Sequence, residues 1–256
     1  MEQITSRHNP LITRLKKLGR DRAARRAEGV YLCEGVKLVE EGVRWGAPVE
    51  TLVTARGFAL PFPPPPGARL VEVPADVLAG VSTQDSPQGV LAVCRAPSLA
   101  PPERLERGRW LVLDGVQDPG NVGTMWRTAD AFGAAGLILL PGCADPFSPK
   151  TVRASMGACF RLGVWECTLE ELTGLVSRSR LPLYAAALGE NTRDVAAADL
   201  TNCALVIGSE GRGVSAGVLA ACDQTLKIPM TDRCESLNAA VAAAVVLWEG
   251  WRGRER

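Results

Sequence analysis

Residues 110–129 read WLVLDGVQDPGNVGTMWRTA. Trp110 to Leu113 is an apolar run without polar alternation, the pattern of a strand buried on both faces. Glycines and a proline then break the run, and Asn121 to Phe132 reads as a helix with Asn121 able to cap it. The same strand-then-helix texture continues downstream. Strands are predicted over 136–140, 183–187 and 204–207, with a short one over 226–228. An alanine-rich helix with a wide apolar surface follows over 237–248. This alternation predicts an α/β domain with a mainly parallel sheet, and in such sheets ligands collect at the carboxyl ends of the strands.

Upstream the texture differs. Residues 97–108 are Pro-rich and then charged, the composition of a linker. They separate a larger α/β half, 109–256, from a small α/β domain, 1–96. In the small domain, strands are predicted over 30–33, 51–53, 70–73 and 89–94, with a helix over 35–43. Pro61 to Pro66 cannot be helix or central strand and reads as a stiff surface loop. Asn9-Pro10 is a helix start, after which Leu11, Ile12, Leu15 and Leu18 share one face and Arg14, Lys16 and Lys17 point to solvent.

The 256 residues carry 29 Lys and Arg against 28 Asp and Glu, a net charge of +1. That total hides a polarity. Residues 1–26 hold eight basic and two acidic side chains, a net of +6, leaving −5 for the remainder. A basic stretch is either a solvated helix face or an electrostatic footprint for a phosphate backbone. Hydrophobic residues make up 46%, which excludes a wholly disordered chain. The eight cysteines have no CxxC spacing and the sole histidine is His8, so neither a disulfide framework nor zinc is expected. The cysteines read as reduced and mostly buried, with Cys234 set apart by its place in a polar loop. No apolar run approaches the ~20 residues that span a bilayer, and the N-terminus lacks a signal-like apolar region. A cytoplasmic protein without metal or membrane is the expectation.

Three segments occupy the strand ends. The first runs from Asp114 through Asn121 to Arg127, which also has Asp130 in reach as a simple ion-pair partner. The second is Gly208-Ser209-Glu210-Gly211-Arg212-Gly213, neither a P-loop nor GxGxxG, and a glycine-rich turn alone is weak evidence of a site. The third runs from Ile228-Pro229-Met230 to Glu235-Ser236-Leu237-Asn238 and enters the alanine-rich helix, which a plain helix cap would also explain. There is no GxSxG serine and no catalytic histidine in this half.

Taken together in this order, Asn121-x-Gly123-x-x-x-Arg127-x-Ala129, Val206-Ile207-Gly208-Ser209-Glu210-Gly211 and Ile228-Pro229-Met230 with Glu235-Ser236-Leu237-Asn238 resemble the SpoU, or TrmH-type, RNA ribose 2′-O-methyltransferases. Ser148-Pro149-Lys150 and Arg153-Ala154-Ser155 look like further segments of that family. Thr5-Ser6, Asn9-Pro10, Glu34-Gly35 and Ser86-Pro87-Gln88-Gly89 resemble the substrate-binding domain of its rRNA-directed branch. The resemblance implies a deep C-terminal trefoil knot with a mainly parallel sheet, preceded by a ribosomal-protein-like RNA-binding domain. It further implies S-adenosylmethionine as cofactor and a homodimer formed through the catalytic domain. Carried over by motif, Gly208, Ile228 and Leu237 hold the cofactor, with Leu188, Ser209, Met230, Ser236 and Asn238 around it. Asn121, Arg127 and Glu210 are the implied catalytic residues. Where the family often has glycine, this chain has Asp232-Arg233-Cys234, so the loop shape there is expected to differ.

The implied chemistry is attack of a ribose 2′-hydroxyl on a sulfonium methyl, which asks the protein for alignment and removal of one proton. Arginine stays protonated, so Arg127 is expected to orient the target and stabilise alkoxide charge rather than act as base. Arg7, Arg14, Lys16 and Lys17 are the expected RNA phosphate contacts, with rRNA of the large subunit the expected substrate. The competing readings are a tRNA ribose methyltransferase, a non-catalytic RNA-binding or ribosome-assembly factor with the same fold, and a nucleotide-dependent oxidoreductase. The last lacks its glycine fingerprint.

Overall fold

The structure is a computed structural model that describes residues 1–189, 192–233 and 236–253. Its first elements are β1 (Glu2–Gln3), α1 (Pro10–Arg20), α2 (Arg22–Glu28), β2 (Val30–Glu34), α3 (Val36–Arg44), β3 (Val49–Ala55), β4 (Arg69–Val73), α4 (Ala75–Ala79) and β5 (Val90–Arg95). There follow β6 (Arg109–Asp114), α5 (Pro119–Ala131), β7 (Gly136–Leu139), α6 (Pro149–Ala154), β8 (Val164–Glu166), α7 (Leu169–Ser179) and β9 (Leu183–Ala186). The last are β10 (Thr192–Asp194), β11 (Cys203–Gly208), α8 (Ala216–Ala221), β12 (Gln224–Lys227) and α9 (Ala239–Arg252). Two compact units result, one of residues 1–97 with 145–160, the other of 98–144 with 161–256.

The N-terminal unit is built on a mixed sheet ordered β1-β4-β3-β5-β2. β1 and β3 run parallel to β4, while β5 is antiparallel to β3 and β2. Asn9 caps α1 as expected, its side chain accepting from the Leu11 amide. Leu11, Ile12, Leu15 and Leu18 are buried and join the core with Val30, Val53, Val71 and Val93. Burying each such side chain stabilises the fold by about 1.5–3 kcal/mol. Residues 145–160 complete this unit. Arg25, one of the basic residues of the N-terminal run, is buried, pairing with Asp145 at 2.6 Å and donating to the Leu18 carbonyl at 2.7 Å. Its charge is spent inside the fold rather than offered to solvent.

The C-terminal unit carries an all-parallel sheet ordered β10-β12-β9-β11-β6-β7-β8. β11 and β6 lie at its centre, with Gly208 beside Asp114 where both strands end. The α5 cap differs from the expected one: Asp118 accepts from the Asn121 amide at 2.9 Å, and the helix begins two residues earlier, at Pro119. Pro119 suits the first helical position because its missing N–H would have had no partner there. α9 begins at Ala239 and is capped by Asn238. Among the described residues the cysteines are mostly buried, and burial pushes the Cys203 and Cys167 thiols up to about 12. No described helix is long and apolar enough to cross a membrane.

Arg109, at the start of β6, is completely buried. Its guanidinium donates to the carbonyl of Gly250 in the last turn of α9 and, at 2.7 Å, to that of Phe132 at the end of α5. Gly250 is required by this packing, since a Cβ there would lie 2.8 Å from the Arg109 Cδ and 3.0 Å from the Leu200 Cβ. Arg109→Met should cost about 3 kcal/mol, because buried helix-end carbonyls lose a charged donor. Gly250→Ala should cost about 1–3 kcal/mol by overpacking. Both are read as a lower urea midpoint by tryptophan fluorescence, with five of the six tryptophans in this unit.

Candidate active site

Beyond Gly208 the chain makes a tight loop in which Ser209 and Gly213 exchange backbone hydrogen bonds of 3.0 and 2.9 Å. Gly208 must be glycine, because a Cβ would sit 2.1 Å from the carbonyl carbon of Gly213. Gly213 has φ +65°, which glycine adopts without penalty. The Asp114 carboxylate accepts from the Ser215 amide at 2.7 Å and pins the far end of the loop to β6. This frame presents Glu210.

Glu210 accepts a hydrogen bond from the Asn121 side-chain amide in the first turn of α5. The Asn121 carbonyl oxygen faces the Asn238 amide at 3.4 Å. Asn238 works twice, because its own oxygen caps α9 by accepting from the amides of Ala240 at 2.9 Å and Val241 at 3.3 Å. A chain Asn238–Asn121–Glu210 therefore joins residues far apart in sequence and ends on a carboxylate with lone pairs still open.

Beside it lies a cleft of about 250 Å³ at the carboxyl ends of β9, β11 and β12. Ala186, Ala187 and Leu188 line it after β9, and Ile207, Gly208, Ser209 and Glu210 after β11. Leu226, Ile228 and Met230 contribute from the β12 side, and Ser236 and Leu237 from the approach to α9. Leu188 is 77% exposed and Met230 42%, apolar side chains left at the mouth for a ligand to cover. Every sequence-predicted cofactor residue except Asn238 lines this cleft, and Asn238 is tied to it through Asn121. Sequence reasoning did not assign Ala186, Ala187 and Leu226, which line the cleft as small or strand-end residues and carry no motif signal, and it quoted Ile207 in a motif without assigning it to the cofactor. Cys234 and Glu235 lie outside the described residues.

Arg127 is exposed on α5 and lies outside the residues lining the cleft. Six residues of helix turn it about 240° from Asn121. Its suggested partner Asp130 instead pairs with Arg161 at 2.8 Å, and Arg127 has no ion pair among the described residues. In the N-terminal unit, Arg14 does not point free into solvent. Its guanidinium pairs with Glu28 and Glu50 at 2.6 and 2.9 Å. Arg7 pairs with Asp76 on the surface. Lys16 and Lys17 have no carboxylate partner among the described residues.

A parallel α/β sheet with a small-molecule cleft at its strand ends has that cleft where such sheets bind their ligands. The SpoU rRNA Methylase family matches residues 108–248, and the MRM3-like substrate binding domain matches residues 9–92. The chain belongs to the SpoU rRNA methylase family. It is 33% identical to the 23S rRNA (guanosine(2553)-2′-O)-methyltransferase RlmP of Bacillus subtilis, over 97% of this chain and 98% of that one. The structure of the SpoU methyltransferase AviRb from Streptomyces viridochromogenes, in complex with AdoMet, superposes with TM-score 0.87 at 30% identity, covering 97% of this chain and 99% of that one. An AdoMet-bound rRNA methyltransferase from Sinorhizobium meliloti gives TM-score 0.84 at 28% identity, covering 98% of each chain.

Gly208→Ala tests the frame that holds Glu210. The displaced loop should cost more than 2 kcal/mol, seen as a lower urea midpoint. Ser209→Ala, which leaves the backbone bridge intact, should cost under 1 kcal/mol.

Proposed function

We propose that this protein transfers a methyl group from S-adenosylmethionine to a ribose 2′-hydroxyl of large-subunit rRNA, in the cytoplasm. The carrying observation is the cleft: apolar walls, an open glycine-framed backbone and exposed Leu188 and Met230 suit a ligand with a flat base and a thioether-like chain. The cofactor-bound relatives of the same fold support that fit. The substrate-binding domain over 9–92 supports rRNA over tRNA. We extend the reading to the family's trefoil knot, which the close superposition over nearly the whole chain supports.

When bound, the cofactor supplies a methyl already activated by its sulfonium. The protein's own residues then have two tasks. Asn121, hydrogen-bonded to Glu210 and Asn238, positions the hydroxyl, and in this reading Glu210 takes its proton. Arg127, with no ion pair among the described residues and on another face of α5 from Asn121, offers its guanidinium to RNA phosphate, and its role at an oxyanion is at the site of a second copy. Lys16 and Lys17 are free for phosphate contacts, while Arg7 and Arg14 contribute by exchanging carboxylates for phosphates.

The test is radiolabelled methyl transfer to unmethylated rRNA, with the ribose mapped. Arg127→Lys is expected to lower turnover about a hundredfold with cofactor affinity unchanged. Glu210→Gln should lower it by a similar factor if the carboxylate takes the proton. Full turnover in either variant removes that residue from the reaction.

The assembly proposed is a homodimer. α5 and α9 present a groove lined by Phe132, Val241, Val245 and Trp248, with Val241 and Trp248 about half exposed. Trp248 stacks on Trp251 at 5.4 Å and meets Phe132 edge-on at 5.8 Å, a rigid aromatic patch suited to a second copy. Trp248→Glu should convert a dimer to a monomer in sedimentation equilibrium, and a wild type that sediments as a monomer refutes the assignment.

A further inference from the structure

Three stretches far apart in sequence meet in the N-terminal unit around a second groove, of about 410 Å³. They are Glu34–Glu41 at the β2–α3 turn, Gln84 and Gln88 from the loop before β5, and Arg153 and Met156 from the 145–160 segment. The groove holds two carboxylates, but both are occupied internally. Glu34 is buried and accepts from the Ser82 hydroxyl and from the amide and hydroxyl of Thr83, the latter two at 3.0 Å. Glu41 pairs with Arg44.

What faces the groove unspent is a set of donors. Lys37 is exposed and Arg153 half-buried, and neither has a carboxylate partner among the described residues. The Gln88 side-chain oxygen accepts from the Val36 amide at 3.0 Å, which leaves its NH₂ as the end on offer. Gln84 keeps a side-chain amide with no hydrogen bond among the described residues. Gly35, at φ +103°, lets this turn close, because a Cβ would press to 3.1 Å from the Gln88 oxygen.

Met156 marks the rim. It holds φ +49°, a left-handed conformation that costs a side chain about 1 kcal/mol, and it is 51% exposed. Glycine would fill that position without strain, yet the chain keeps an adaptable apolar side chain facing outward. Two cations, two amide donors and an apolar shelf together complement a ligand that carries negative charge, acceptor atoms and a flat apolar face.

We propose that this groove seats a single-stranded segment of the RNA substrate, with Lys37 and Arg153 on phosphates, Gln84 and Gln88 on base-edge acceptors, and one base against Met156. The proposal rests on the rRNA reading above and adds a recognition surface distinct from the basic face of α1. Bases can be reached this way only where the RNA is unpaired.

The experiment measures filter-bound affinity for an unmethylated large-subunit rRNA fragment across a salt series, alongside methyl transfer and S-adenosylmethionine binding. The double variant Lys37→Gln with Arg153→Gln should bind RNA about tenfold more weakly, and its log–log salt slope should flatten by about 1.4, near 0.7 per lost single-strand phosphate contact. The loss should appear in KM for RNA, with cofactor affinity unchanged. Arg153→Lys should restore most of the slope. Met156→Gly should bind RNA several-fold more weakly while melting no earlier than wild type, which a purely structural role would not produce. A folded double variant with wild-type affinity and slope overturns the proposal. Wild-type protein that binds RNA but transfers no methyl refutes the catalytic reading and leaves the groove to the binding data. Wild type that binds no RNA refutes both.

Discussion

A charge with no access to water organises the C-terminal unit. Arg109 sits at the foot of β6, a central strand, and is satisfied in part by carbonyls at the ends of α5 and α9. Helix C-termini carry partial negative charge and unpaired carbonyls, so one guanidinium can serve both where a hydrophobic residue could serve neither. The helices have 13 and 14 residues, about 20 Å each. The two helices pack along each other and differ by one residue in length, so their other ends also lie together. That other end is where Asn121 and Asn238 face each other and where Glu210 is held. The clamp at the bottom of the sheet thus sets the register of the constellation at the top.

The two ends of the sheet are built from different materials. At the Arg109 end, side-chain packing and charge leave no room even for the Cβ of an alanine at 250. At the cleft end, the frame is backbone: Gly208 against Gly213, the Ser209–Gly213 bridge and the Asp114 carboxylate on the Ser215 amide. A site framed by backbone tolerates changes of side chain around it, provided the glycines stay. This is compatible with Asp232-Arg233-Cys234 standing where the family resemblance leads one to expect glycine, while the motif residues on either side are kept.

Most of the sheet strands could be read from the sequence, because continuous apolar runs such as Trp110–Leu113 and Ala204–Ile207 occur only where both faces are covered. α2 could not be separated from the basic run, since Arg22–Glu28 lacks an apolar stripe; its cap, Asp21, is the signal that was there to use. α7 likewise announces itself through the capping box Thr168–Glu171, a short motif easily lost between longer ones. The site's motif residues were legible because glycine, asparagine and proline mark turns and caps. The union of 145–160 with the N-terminal unit was not, because a pairing such as Arg25 with Asp145 spans 120 residues and leaves no local pattern. The same blindness hid the second groove, whose walls come from three separate stretches.

Net charge gives the final step. A total of +1 argues against a nucleic-acid binder, and even the +6 of the first 26 residues overstates what is available, because Arg25 is buried and Arg14 is doubly paired. The cations that matter for a polyanion are those that the fold leaves without carboxylates. Lys16, Lys17, Lys37 and Arg153 in the N-terminal unit, and Arg127 in the C-terminal one, are among such residues in the described part of the chain. An exposed ion pair is worth little and can be exchanged, whereas an unpaired cation gives up no ion pair when it is redirected. Affinity for RNA is therefore governed by where the carboxylates are not, a property of the folded surface that no sum over the sequence can contain.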